Sequence, residues 1–380
     1  MKEKTNSQIE LIEFNSSYDQ PTFEVKRNKD YINFGSDNLA PDYMLSLLDQ
    51  SPVHSNLVYN IASMISGEGF IDKNSAAFKN ENGEENLDQI LHKLSFDAKL
   101  YGAFALSIRW SRDLSTPTVD YLDVGKVRLA TPDVALNGIQ SYWISSDWKN
   151  YRKEAHAPEL FQGFSKLKKS TKPQVLYMKL EGVPSAPYAL PTYWSAREYI
   201  ELQQHIISYH LNNIRHGSSV KTLVKLNGSF SSAEESEKFS ALWKKFEGDQ
   251  GHRTAILQNA ENISIENLDE GLSDERFQSL DQLTSERIKQ AHGVTGKGAV
   301  FGISSEQGTT FNSNRDQLNE FDLMQNLRIR PLQLKIEQTF SNLFEQEINI
   351  QPLLLSEGSY QDEDQDNLLG NEGENQPIKE

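Results

Sequence analysis

Cysteine is absent from the 380 residues. No disulfide framework and no thiolate zinc site can therefore form. Long apolar runs are also missing, none approaching the ~18 residues that span a bilayer. The opening stretch from Met1 to Phe14 lacks the apolar core of a signal peptide. The expectation is a soluble chain, with no membrane partner, in a reducing cytoplasm. Positive charge is scarce: 38 Lys and Arg stand against 54 Asp and Glu, a formal net charge of -16. Proteins that grip nucleic acid usually carry a basic face, since each neutralised phosphate releases counterions. This balance opposes tight binding, yet it suits a wall that repels phosphates and does not hold them. Hydrophobic residues make up 37%, low for a compact enzyme of this length. An elongated shape or a large polar surface is expected, with one large domain or two to three smaller ones.

The pattern along the chain is mixed. Residues 1–35 are polar and read as an arm or edge strand. Asn38-Leu39-Ala40-Pro41 turns into a helix that Asp42 is placed to cap, with Tyr43, Leu45 and Leu48 as its apolar face. Ser51-Pro52 starts a second helix. Val58, Ile61, Ala62 and Ile65 repeat there at helical spacing, and Gly67-Glu68-Gly69-Phe70 ends it. A further helix carries Leu87, Ile90, Leu91, Leu94 and Ala98. From Ala103 the period becomes two, through Phe104, Leu106, Ile108 and Trp110. Strands are also expected at Val119–Val124, Ser141–Ile144 and Gln174–Leu180. Lys166, Lys168, Lys169 and Lys172 make a basic loop between them.

A long helix is predicted over Tyr193–His216, with a stripe of Ala196, Ile200, Ile207, Leu211 and Ile214 widened by Tyr199, Leu202, Ile206 and Tyr209. Then follow a strand at Thr222–Leu226, a helix at Ser232–Phe246, a strand at Thr254–Leu257 and a helix at Ser273–Ala291. A glycine-rich loop spans Gly293–Gly308. A last helix runs over about Asn312–Gln346, interrupted by Pro331, which lacks an N–H. Residues 356–380 are acidic and poor in apolar groups, so disorder is expected. The fold class is α+β.

Catalytic motifs fail on spacing. Gly293-Val294-Thr295-Gly296-Lys297-Gly298 invites a phosphate-binding reading. A P-loop, however, needs a glycine upstream with four residues between, and Ser or Thr directly after the lysine. Ala291 and His292 occupy the upstream region, and Gly298 follows Lys297. Gly67-Glu68-Gly69 follows a helix, so it is no dinucleotide fingerprint. His205, His210 and His216 lack the i, i+4 spacing of a metalloprotease pair. No cofactor, metal or enzymatic activity is expected.

The order of elements over roughly residues 35–350 resembles the portal proteins of tailed bacteriophages, the short type found in long-tailed phages. Asn38-Leu39-Ala40-Pro41, Ser51-Pro52-Val53-His54 and Gly67-Glu68-Gly69-Phe70 are similar to that family's N-terminal helix pair. Leu100-Tyr101-Gly102-Ala103-Phe104 resembles its helix-to-strand entry. Pro191-Thr192-Tyr193-Trp194-Ser195-Ala196, running to His210-Leu211-Asn212-Asn213-Ile214, resembles its first stem helix. Arg328-Ile329-Arg330-Pro331-Leu332 with Ile336-Glu337 resembles its late, proline-kinked helix. Many relatives have Val-Pro after the second stem helix where this chain has Val294-Thr295.

The resemblance implies a homo-oligomeric ring, usually of twelve subunits, at one vertex of the virion, assembled in the host cytoplasm. Double-stranded DNA passes through it without sequence specificity during packaging, retention and ejection. Terminase, the major capsid protein and a head-completion adaptor are the implied partners. The divisions it implies are an arm (1–35), a wing (36–190), a first stem helix (191–217) bearing Tyr199, Ile207 and Leu211, and a clip (218–271). A second stem helix (272–292) bears Phe277. A channel loop (293–311) has Lys297, Val300, Phe301 and Ile303 at its mobile part. A kinked wing helix (312–355) with Arg328, Arg330 and Pro331 precedes the acidic tail or reduced crown (356–380). Arg328 and Arg330 are placed to meet acidic groups on a neighbour. Two alternatives stay open on the residues: another ring-forming adaptor, and a nucleotide-binding enzyme using the glycine-rich loop.

Overall fold

The computed structural model describes residues 30–72, 83–131, 141–216, 222–226, 263–267, 274–294 and 314–353. Within them lie helices α1 (Ala40–Gln50), α2 (Pro52–Ser66), α3 (Leu87–Leu100), α4 (Arg197–His216), α5 (Asp274–His292), α6 (Asn314–Met324) and α7 (Arg330–Phe344). The strands are β1 (Ala103–Trp110), β2 (Pro117–Leu122), β3 (Val127–Leu129), β4 (Ser141–Ile144), β5 (Glu159–Gly163), β6 (Gln174–Lys179), β7 (Thr222–Leu226) and β8 (Ile263–Asn267). The fold is thus α+β. Contacts divide it into two units, Met1–Asp49 with Asp97–Pro191, and Gln50–Phe96 with Thr192–Glu380.

The first unit is built on a six-stranded sheet of order β2-β1-β6-β5-β4-β3. Only β5 and β6 run parallel. Strand β1 shows why the period-two signal is partial: Ala103 to Leu106 are buried without alternation, and alternation begins only at Ser107. Gly102, at φ 72°, makes the entry turn, and its carbonyl accepts N–H bonds from Leu180 and Glu181. Strands β3 and β5 were not expected. The first is three residues long, and the second, Glu-Leu-Phe-Gln-Gly, has little apolar content to announce it.

Arg128 on β3 lies at the centre of this unit, fully buried. Its guanidinium donates to Asn38 Oδ1 and the Asn38 carbonyl at 2.7 Å each, and to the carbonyls of Gly125 (2.8 Å) and Val127 (2.9 Å). It also lies 4.8 Å from the Trp148 ring centre. Neutral carbonyls and π-faces therefore solvate a charge that burial alone would make very costly.

The range read as an arm joins this core from Tyr31 onward. The Ile32 N–H donates to the Leu129 carbonyl (2.8 Å), the Tyr188 hydroxyl donates to the Ile32 carbonyl (2.6 Å), and Phe34 stacks on Tyr188. Helix α1 also departs from expectation. It begins at Ala40, so Asp42 lies inside the first turn and does not cap it. Its buried face is Ala40, Met44 and Leu47, at i, i+4 and i+7, while Leu45 is exposed. Tyr43, Leu45 and Leu48 do not share that spacing.

In the second unit Ser51 caps α2 as its sequence requires: Ser51 Oγ accepts the His54 N–H at 3.0 Å, and Pro52 follows at the first turn. Val58, Ile61, Ala62 and Ile65 are all buried, as are Leu87, Ile90, Leu91 and Leu94 on α3; Ala98, buried as well, lies on the end of α3 that belongs to the first unit. Gly67 ends α2 at φ 57°. A Cβ there would stand 2.1 Å from the Gln351 carbonyl oxygen, so only glycine fits. The chain beyond it pairs with residues 349–351, through Glu68 N–H to Gln351 O (2.9 Å), Ile71 N–H to Asn349 O (2.9 Å) and Gln351 N–H to Gly69 O (2.8 Å). Strand β7 falls where expected. Its antiparallel partner is β8, which was not expected, registered from Thr222↔Asn267 to Leu226↔Ile263. The predicted helix 232–246 and strand 254–257 lie outside the described residues.

Candidate functional site

The helices that would form a stem belong to the second unit. Helix α5 packs against α4, against α2 and against the 3-10 turn Thr192–Ala196 that leads into α4. Apolar contact is fixed in register by one buried amide. Gln203 on α4 accepts from Ser51 Oγ and donates through Nε2 to Asp281 Oδ1 (3.3 Å) and Ser285 Oγ (3.2 Å) on α5. A one-turn slip would leave this amide buried without those bonds, which is costly.

The stripe predicted on α4 splits in two. Ala196, Ile200 and Ile206 are buried within the chain. Tyr199, Ile207 and Leu211 are exposed, as is Leu283 on α5. These four apolar side chains face solvent in the isolated subunit. The side chain of Phe277 is outside the described ones.

A cluster of three rings lies where α5 ends. His54 Nδ1 and His292 Nε2 are 2.9 Å apart, and both residues are buried. Tyr193 stacks on His292 (centroids 5.3 Å) and meets His54 edge-on (4.5 Å). The cluster joins the start of α2, the turn before α4 and the last residue of α5. Gly293 then turns the chain at φ 81°. The Arg328 side chain crosses that turn so closely that a Cβ at Gly293 would meet its Nε at 2.9 Å. Lys297, Val300, Phe301 and Ile303 follow, outside the described residues.

The last helical stretch is interrupted, but not at the proline. Gln325–Ile329 forms a π-helical turn closed by the Arg330 N–H on the Gln325 carbonyl, and Pro331 sits in the first turn of α7. The physical reason is the missing N–H and the ring clash of Pro331, which the wider i→i+5 spacing upstream absorbs. Gln333, fully buried, donates to the Met64 and Ile65 carbonyls (3.2 and 3.1 Å), which satisfies carbonyls near the end of α2. Arg330 bonds Glu337 at 2.7 Å, and the same carboxylate oxygen accepts the Ile350 N–H at 2.8 Å. Arg330 is therefore engaged within its own chain through one guanidinium nitrogen. Leu323, Leu327, Pro331 and Leu334, spaced by four, four and three, form an exposed apolar stripe along this stretch. Sequence reading missed that stripe, although its spacing was visible.

Among the described residues no group of His, Asp and Glu is arranged to hold a metal ion, and no helix is long and apolar enough to cross a membrane. The second unit carries exposed apolar helical surface beside buried polar registers. The fold is similar to that of solved particle-neck and phage portal structures. Three solved structures carry this likeness. The chain matches the neck of an empty gene transfer agent particle computed with C6 symmetry at TM-score 0.56 and 13% identity, over 83% of this chain and 85% of that one. It matches the neck of a native gene transfer agent particle computed with C12 symmetry at TM-score 0.55 and 14% identity, over 82% and 84%. It matches an HK97-family phage portal protein from Corynebacterium diphtheriae at TM-score 0.51 and 6% identity, over 81% and 95%. No family model matches the sequence, and no curated protein matches it.

Proposed function

We propose that this chain is a portal subunit: one member of a ring, at a single capsid vertex of a tailed particle, through which double-stranded DNA is packaged, retained and ejected. The observation that carries the reading is the extent of the fold likeness, over 80% of both chains, to a phage portal protein and to particle necks solved with six- and twelve-fold symmetry. The exposed Tyr199, Ile207, Leu211 and Leu283 support it, because a head-to-tail ring gives such faces a partner in the next copy. So does the net charge of -16, which suits a wall that does not retain DNA.

In this reading α4 and α5 are the stem, residues 218–271 the clip, the sheet unit part of the wing, and residues 293–311 the channel loop. Lys297 is the cation of that loop and Val300, Phe301 and Ile303 its apolar tip. An apolar tip cannot bond firmly to phosphates, so it guides passing DNA and does not anchor it. Terminase, the capsid protein and a head-completion adaptor dock on the ring. No cofactor takes part. The test is to find the chain in assembled particles: labelled subunits should sit at one vertex per head, and a uniform distribution over the shell, or absence from particles, would overturn the reading.

A further inference from the structure

Two exposed apolar rows stand on the second unit. One follows α6, the π turn and α7, through Leu323, Leu327, Pro331 and Leu334. Leu327 is 63% exposed, although Gln325 and Ile329 in the same turn are buried. The other row, on α4, is Tyr199, Ile207 and Leu211. At the rise of a helix the first row is roughly 17 Å long and the second roughly 18 Å. Their spacings match as well when the rows are laid antiparallel. Leu323 then stands opposite Leu211, Leu327 opposite Ile207, and Leu334 opposite Tyr199. Pro331 falls level with Gln203, whose side chain turns into its own chain toward Ser51, Asp281 and Ser285. The compact proline ring therefore meets no long side chain at that level.

We propose, on the ring reading above, that the α6–α7 row of one copy packs antiparallel on the α4 row of the next copy. A head-to-tail ring needs two different faces on each subunit that fit each other, and these rows are two such faces on one unit. A row paired with itself would close a two-fold dimer and leave the α4 row bare. Exposed charges at the rims choose the direction. Laid parallel, the rows bring Asp322 beside Glu198, two like charges at one end. Laid antiparallel, they bring Lys335 beside Glu198, whose carboxylate is already turned outward and bonded to Arg197 at 3.2 Å. Such rim charges set register and orientation, while the apolar rows leave water together.

The absence of cysteine gives a direct test on the full-length protein. Under mild oxidation, Leu327→Cys/Ile207→Cys and Leu334→Cys/Tyr199→Cys variants should form disulfides between copies, seen as a ladder of linked subunits on a denaturing gel. The parallel pair Leu323→Cys/Tyr199→Cys and the single variant Leu327→Cys are the controls. Both should link at least roughly tenfold more slowly, because packing raises the effective concentration of the antiparallel pairs alone. A second measurement uses charge. Ile207→Asp and Leu327→Asp should each sediment as monomers, while their mixture forms a two-subunit species, since each variant keeps the face that the other lacks. Equal linking of the parallel and antiparallel pairs overturns the proposal. Rapid linking of Leu327→Cys to itself does so too, as the mark of a two-fold contact. A mixture that stays monomeric, or aspartate variants that still assemble, also overturns it. Rings seen by electron microscopy without the antiparallel links would refute this contact and leave the portal reading standing. Absence of the chain from particles refutes the portal reading, while the antiparallel links would still establish the contact.

Discussion

His54 and His292 share a buried hydrogen bond, 2.9 Å from Nδ1 to Nε2, that ties the third residue of α2 to the last residue of α5. The two are 238 positions apart in sequence. The bond fixes where α5 stops, two residues before the undescribed stretch that holds the proposed channel loop. Replacing either histidine with leucine leaves the other imidazole buried beside an apolar group, a loss of about 1–3 kcal/mol. Replacing both should cost clearly less than the sum of the singles. A double-mutant cycle by urea unfolding measures this; strictly additive losses would mean that the pair does not act as a unit.

Asp97 gives a pH dependence in the first unit. It is buried, and its carboxylate accepts from the Tyr121 hydroxyl (3.0 Å) and the Val124 N–H (3.2 Å). Burial first, and the nearby Asp123 second, push its pKa well above the ordinary 3.8. The folded state therefore binds a proton that the unfolded state has released. Stability from this group is fully present below about pH 4 and falls as pH rises toward the folded-state value. Asp97→Asn keeps an acceptor and removes the titration. Its stability relative to the parent should improve between about pH 4.5 and about pH 7.5 in denaturant unfolding; a constant difference would contradict the sign.

Ile207 and Leu211 are exposed on α4, so Ile207→Asp should change the stability of the subunit by no more than about 0.5 kcal/mol. In the ring reading the same change places a carboxylate in an apolar contact between copies, and rings should be lost. Sedimentation reports assembly and thermal unfolding reports the fold. Rings that persist would move the subunit contact off this face.

Pro331→Ala restores an N–H in the first turn of α7. The π turn Gln325–Ile329 should rewind toward α-helix, seen as slower amide exchange there, with a stability change under about 1 kcal/mol. Packaged DNA per head should fall more than the yield of folded protein does. Unchanged packaging would remove the functional meaning given to the interruption.

Much of this was legible where local periodicity carries the signal. Ser51-Pro52 and Gly67 marked both ends of α2, and the apolar repeats of α2 and α3 are the buried faces. What escaped was non-local. A charged Arg128 at the centre of a core looks like surface until Asn38, Gly125 and Val127 supply their carbonyls. Gln203 and Gln333 look like ordinary helix polar residues until α5 and the end of α2 are packed on them. The stripe of α4 was visible as one face, but sequence cannot say that Ile200 and Ile206 serve the chain's own core while Ile207 and Leu211 face outward. An interruption was expected at Pro331, and the structure has a π turn over Gln325–Ile329 just before it, because the backbone adjusts in the preceding turn.

The most direct test of the central claim is electron microscopy of the purified full-length chain over a range of salt and protein concentration. The account predicts closed rings with a central hole, of one rotational symmetry. A particle that stays monomeric under every condition, or a compact oligomer without a channel, would contradict it.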